Sequence, residues 1–124
     1  MKQTIIESSP NTPAVFYDEE KECIAIEGRS IPENASEFYD YLGEITLIRI
    51  VPPYPSFTFE FRLEYVNSSS AKQILNYLKL IRGKVYDGCA CKVIWYFEED
   101  DEAIQELGEH LKTTLGIPFE LISY

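Results

Sequence analysis

The amino-acid sequence predicts an α/β fold: a mixed β-sheet with antiparallel amino-terminal strands, a parallel βαβαβ portion and about three helices. Three observations carry that prediction. Residues 57–65 alternate almost strictly, with Phe57, Phe59, Phe61, Leu63 and Tyr65 on one face and Thr58, Glu60, Arg62 and Glu64 on the other. After Asn67 the period changes from two to that of a helix, with Ala71, Ile74, Leu75, Leu78 and Ile81 forming one stripe. Strand, helix, strand, helix and strand then follow one another over residues 57–123, which calls for parallel neighbours joined by right-handed crossovers.

The elements can be justified in order. Residues 3–6 and 14–18 carry short apolar stretches separated by Ser8-Ser9-Pro10-Asn11-Thr12-Pro13, whose composition is that of a loop. Residues 14–17 and 23–27 flank Asp18-Glu19-Glu20-Lys21-Glu22, a polar turn of hairpin length, so the two strands pair antiparallel, and Gly28 ends the second. Ser30-Ile31-Pro32-Glu33 has the spacing of a capping box with proline in the first turn, and Phe38, Leu42, Ile45 and Ile48 follow at helical intervals. That helix must stop before Pro52-Pro53-Tyr54-Pro55. The second helix runs from the end of the alternating strand to Gly83. Residues 91–97 form a largely apolar strand, 101 to about 115 a helix with Ile104, Leu107 and Leu111 on one face, and 119–123 a closing strand after Gly116 and Pro118.

The chain has 124 residues, 45% of them hydrophobic, which suits one domain spanning 1–124. Seven Phe, nine Tyr and one Trp supply a core that needs neither metal nor disulfide. Eleven basic residues against 21 acidic give a net charge of -10, which repels nucleic acid phosphates and anionic membranes and excludes both as partners. Cys23, Cys89 and Cys91 match no zinc spacing, and no apolar run at the start resembles a signal peptide, so the expected compartment is the cytoplasm. In that compartment Asn34-Ala35-Ser36 and Asn67-Ser68-Ser69 read as capping sequences rather than glycosylation sites. No stretch approaches the roughly 20 apolar residues of a membrane span.

Function is best sought in Tyr65-Val66-Asn67-Ser68-Ser69-Ser70-Ala71-Lys72, where the alternating strand passes directly into the second helix. The first N–H groups of a helix lack intrahelical partners and lie at the positive end of its dipole, which favours an anion there. Capping by Asn67 or Ser68 alone accounts for one such side chain. Lys72, four residues after Ser68, lies on the same helix face. Other candidates are weaker. His110 falls on the polar side of the third helix without triad-like company. Cys89 and Cys91 alternate onto one strand face as reduced residues near the core. Glu98-Glu99-Asp100-Asp101-Glu102 lacks the glycine and distal glutamate of a calcium loop and complements a helix dipole instead. No metal or cofactor is expected.

The segment from Asn11-Thr12-Pro13 through Ile26-Glu27-Gly28-Arg29-Ser30-Ile31-Pro32-Glu33-Asn34, together with Tyr65-Val66-Asn67-Ser68-Ser69-Ser70 and Lys72, resembles the SiaC family of bacterial regulatory phosphoproteins. The likeness continues through Trp95-Tyr96 and Glu106-Leu107-Gly108-Glu109 to Ile117-Pro118-Phe119-Glu120. It implies a STAS-like fold and a switch operated by phosphorylation of the Ser or Thr after Tyr-x-Asn, which is Ser68 here, with Ser69 the alternative acceptor. The family commonly has threonine at that position. Serine retains the hydroxyl chemistry and leaves kinase preference as the difference. The resemblance further implies a Ser/Thr kinase of the histidine-kinase-like ATPase class, a PP2C-type phosphatase and a diguanylate cyclase bound by the unphosphorylated form. Asn67, Ser69, Ser70 and Lys72 would support the phosphate or the partner. Arg29 and Glu33 would join them if the two helix starts share one face.

Two alternatives differ in class. An anti-sigma-factor antagonist would also be a phosphorylated STAS-like protein, but such proteins usually carry aspartate before the hydroxyl pair and glycine after it, where this chain has Asn67 and Ser70. A small hydrolase with Ser68 as nucleophile would need a nearby base and an oxyanion site, and the G-x-S-x-G elbow is absent.

Overall fold

The structure is a computed structural model that describes residues 2–49, 56–84 and 90–124. The proline-rich Pro52–Pro55 loop and Cys89 lie outside the described residues. Strands β1 (Lys2–Ile6), β2 (Ala14–Asp18) and β3 (Cys23–Ser30) precede α1 (Ala35–Arg49), β4 (Ser56–Val66), α2 (Ser68–Lys84), β5 (Ala90–Phe97), α3 (Glu102–Leu115) and β6 (Phe119–Ser123). The six strands lie in sequence order in one sheet. The first two pairings are antiparallel and the remaining three parallel, as the sequence predicts.

Because each parallel crossover steps to the next strand in the same direction, right-handed connections place all three helices on one face of the sheet. That face holds the core. Phe57, Phe59, Phe61 and Leu63 of β4 are buried beside Ile24 and Ile26 of β3 and Val93, Trp95 and Phe97 of β5. The alternation fails only at its end, since Tyr65 is 53% exposed. It lies beyond the β4–β5 pairing, which ends at Arg62 and Tyr96.

Two boundaries and one helix face depart from the sequence reading. Strand β3 continues through Gly28 to Ser30: the register shifts between Gly28 and Arg29, with Glu64 of β4 as the extra residue, and Gly28 takes a φ of 121° that glycine enters without strain. Pro13 lies 3.6 Å from where a Cβ at Gly28 would stand, and the Ile31 N–H donates to the Asn11 carbonyl at 2.9 Å. Secondly, α1 is capped by Asn34 and not by Ser30. The Asn34 side chain accepts from the Glu37 N–H at 3.1 Å and its carbonyl from the Phe38 N–H at 3.2 Å. The Ser30 hydroxyl instead turns inward and hydrogen-bonds the Tyr39 hydroxyl at 2.6 Å, both residues being buried.

The third departure is the face α1 buries. Ala35, Tyr39, Leu42, Gly43 and Thr46 point inward, while Phe38 and Ile45 are half-buried and Ile48 is exposed. Close helix contact selects the small residue: a Cβ on Gly43 would lie 2.9 Å from Leu80 Cδ2 of α2. Hydrogen bonding selects the polar one. Thr46 donates to the Leu42 carbonyl at 2.7 Å, leaving its oxygen to accept from the Tyr77 hydroxyl at 2.9 Å.

The opposite face of the sheet carries no helix among the described residues. There Glu60 accepts from the Cys23 thiol at 3.1 Å and the Tyr96 hydroxyl at 3.2 Å, and the Arg62 guanidinium lies 4.2 Å from the Tyr96 ring and 4.7 Å from that of Tyr124. Burial, and then the neighbouring Glu60 carboxylate, push the Cys23 thiol far above its usual range. Cys23, Glu60, Arg62 and Tyr96 border a hollow of about 220 Å³.

Candidate functional site at the carboxyl edge of the sheet

All three helices begin at the same edge of the sheet, the carboxyl edge of its parallel strands. Each has its own cap: Asn34 for α1, Asn67 for α2 and Asp101 for α3. The Asn67 side chain accepts from the Ser70 N–H at 2.8 Å, and its carbonyl accepts from the Ala71 N–H at 2.9 Å. Asn67 is therefore the residue before the first turn, and Ser68, Ser69 and Ser70 are the first three helical residues. Capping is complete without a serine hydroxyl.

The three serines then divide by exposure. Ser68 and Ser69 are exposed. Ser70 is fully buried, and its hydroxyl has no hydrogen-bond partner among the described residues. An enzyme approaching from solvent meets the first two hydroxyls and not the third. The N–H of Ser70 is taken by the cap, whereas those of Ser68 and Ser69 belong to the unpaired first turn, where they favour negative charge.

Strands β3 and β4 end side by side. Arg29 is in register with Tyr65, Ser30 with Val66, and the Asn67 N–H donates to the Ser30 carbonyl at 3.2 Å. The starts of α1 and α2 accordingly share one edge, the condition under which Arg29 and Glu33 can act with the serines. Both are exposed, as is Lys72. No hydrogen bond or ion pair among the described residues joins any of the three to Ser68 or Ser69. His110 is exposed on α3, and Asp101 of the acidic run is engaged in capping, accepting from the Ile104 N–H at 3.1 Å.

Behind this edge, two residues outside the strand-to-helix motif fix its geometry. Trp95 is fully buried and donates from Nε1 to the Ile104 carbonyl at 2.9 Å, tying β5 to the first turn of α3. Gly108 lies directly over the indole, where an added Cβ would stand 2.4 Å from Trp95 Cδ1. The anchoring role of Asn11 on the β3 end was not visible in the sequence. Its signals there were the loop composition around it and its place in the family-like segment, neither of which shows that its carbonyl accepts from the Ile31 N–H.

The sequence model of the SiaC family regulatory phosphoproteins matches residues 6–124. The chain belongs to the SiaC family. An uncharacterised protein of Pseudomonas aeruginosa is 24% identical over 121 residues, covering 98% of this chain and 96% of its own length. Among solved structures, a chain in the crystal structure of the Pseudomonas aeruginosa diguanylate cyclase SiaD in complex with its activator SiaC superposes with a TM-score of 0.80 at 21% identity, covering 98% of this chain and 99% of that one. The crystal structure of apo-SiaC from the same organism gives a TM-score of 0.79 at 22% identity, with 98% of both chains covered. The SiaC fold is thus shared throughout: antiparallel strands first, then a parallel series with three helices on one side. As a SiaC-family member the chain is a regulatory phosphoprotein by class. No helix among its described residues is long and apolar enough to cross a membrane.

Proposed function

We propose that this chain is a single-domain, non-enzymatic, cytoplasmic switch whose unphosphorylated form binds and regulates a diguanylate cyclase and is released by phosphorylation of Ser68. One observation carries the reading. In a member of a regulatory phosphoprotein family, an exposed serine hydroxyl occupies the first position of a 17-residue helix already capped by Asn67, so modification costs the fold no hydrogen bond. Phosphorylation adds about -1.5 to -2 charges and three acceptor oxygens. The helix dipole and the free N–H groups of Ser68 and Ser69 tolerate that charge, and Lys72 lies on the same helix face. A partner that brings carboxylates or apolar groups to this edge does not tolerate it. The cyclase is favoured as partner because the Pseudomonas aeruginosa SiaC is the activator of the cyclase SiaD.

A Ser/Thr kinase of the histidine-kinase-like ATPase class writes the mark in this scheme, and a PP2C-type phosphatase removes it. Ser69, also exposed, is the alternative acceptor. Phosphosite mapping on protein recovered from its own cell, with and without phosphatase treatment, tests the acceptor. Binding of the cyclase encoded in that cell by wild type, Ser68→Ala and Ser68→Asp tests the switch. Alanine should bind as the unmodified form does, and aspartate should bind more weakly with native folding. Equal binding by all three, or no modification of Ser68 or Ser69 under any condition, would refute the proposal.

A further inference from the structure

Helix α1 carries a second apolar strip, distinct from the one it buries. Phe38, Tyr41, Ile45 and Ile48 recur at steps of three, four and three residues, so they run along one side of the helix. Phe38 and Ile45 form the half-covered inner border, while Tyr41 is 55% exposed and Ile48 68%. α1 packs against α2 through Gly43 and is the first helix of the layer, so this strip lies on its free flank. Single exposed apolar residues are ordinary, but an aligned strip marks a contact surface.

A row of one charge borders the strip. Glu37, Asp40 and Glu44 are exposed, recur at steps of three and four, and form no ion pair among the described residues. From Phe38 to Ile48 the strip extends about 15 Å at 1.5 Å per residue, which is the contact length of a helix of roughly three turns. An amphipathic helix laid along such a strip uses anchors at the same i, i+3, i+7 spacing.

We propose that the outer flank of α1 docks an amphipathic helix of another protein, one whose apolar face is edged by Lys or Arg. Charge complementarity selects this occupant. A second copy of the chain, related by a two-fold axis, would bring carboxylate row toward carboxylate row between molecules of net charge -10. An anionic membrane surface meets the same repulsion. The inference rests on reading the chain as a protein-binding regulator, and it does not depend on Ser68.

The test is an NMR titration of the isotopically labelled full chain with two synthetic stapled helices that share a leucine face, one edged by lysine and the other by glutamate. The lysine-edged helix should give saturable shifts at Tyr41, Ile45 and Ile48, and its affinity should fall at least about tenfold in Ile48→Asp, a substitution at an exposed site. Asp40→Lys should weaken binding and reduce its salt dependence. Shifts centred elsewhere, no saturable binding, equal binding of the two helices, or an unchanged affinity in Ile48→Asp each overturn the proposal. Titrating Ser68→Asp with the same helix, and the cyclase with Ile48→Asp, separates the two readings. Failure at the flank while Ser68→Asp still releases the cyclase sinks only this inference. Docking at the flank while Ser68→Asp binds the cyclase normally sinks only the phosphoswitch.

Discussion

The backbone N–H of Asn67 donates to the carbonyl of Ser30 at 3.2 Å, fastening the end of β4 to the end of β3 just before α2 begins. The hydrogen bond makes the two helix entries one structural unit. Asn67 therefore serves twice, with its main chain holding the neighbouring strand and its side chain holding the helix.

The two roles can be separated by substitution. Asn67→Ala keeps the main-chain bond and removes the side-chain cap, and should cost about 1 kcal/mol of stability. Asn67→Asp keeps an acceptor for the Ser70 N–H and should cost less. Urea unfolding of the three proteins checks the order.

Gly108→Ala should be more damaging than its size suggests. The new methyl would enter the space of Trp95, whose Nε1 is held by the Ile104 carbonyl at 2.9 Å and which therefore cannot swing aside without losing that bond. A loss of about 1–3 kcal/mol is expected from overpacking, with a change in tryptophan fluorescence in the folded state. Gly83→Ala, where the added Cβ meets no atom within 4 Å among the described residues outside its own turn of helix, is the control and should be neutral or stabilising.

Burial raises the Tyr39 hydroxyl from an ordinary value of 10.0 to about 12, the Ser30 hydrogen bond opposing that shift, and burial raises Tyr77 still further. A raised value means that the folded state holds its proton more tightly than the unfolded chain. The resulting stability is fully present below pH 10 and is lost as pH climbs through the folded value. Tyr39→Phe should therefore lose stability near neutrality, by about 1–3 kcal/mol for the orphaned Ser30 hydroxyl, and show a shallower decline between about pH 10 and 12. Denaturant titrations at fixed pH values check both slopes.

Cys23 should resist alkylation in the native protein at pH 8 and react on unfolding, because its thiol is buried and donates to Glu60 at 3.1 Å. Glu60→Gln removes the neighbouring charge without exposing the sulfur, so labelling should remain slow. Peptide mapping after brief iodoacetamide treatment distinguishes Cys23 from the other cysteines.

Much of the architecture was legible because strand and helix periods do not resemble one another. Phe57 to Leu63 and Ile74 to Ile81 were read correctly, since each satisfies only one period. Helix α1 was also expected, but its buried face was not, because two apolar strips compete on it. Its buried face uses Gly43 for close approach and Thr46 for a hydrogen bond, choices that depend on Leu80 and Tyr77 far along the chain. Ser30 misled for a related reason. Its local spacing fits a cap, but a partner nine residues on captures its hydroxyl.

The serines at the start of α2 were legible as a group, since a change of period and a cluster of hydroxyls coincide there. Their different exposures were not. Position in the first turn decides that Ser70 turns inward, and no composition rule separates it from its neighbours. Arg62 between two tyrosine rings was likewise hidden, because Tyr96 and Tyr124 reach it from other strands and from the chain end.

Strand β4 lies between β3 and β5, with residues 58–62 paired on both sides, while β1 and β6 are five-residue edges. Amide exchange should accordingly be fastest at the two margins and slowest along β4. Asn67 immediately follows that strand and is itself tied to β3 through the Ser30 carbonyl. A group attached or docked there pushes against an anvil, so its effect is expressed outward, in whatever approaches the edge, and little of it is absorbed by the sheet.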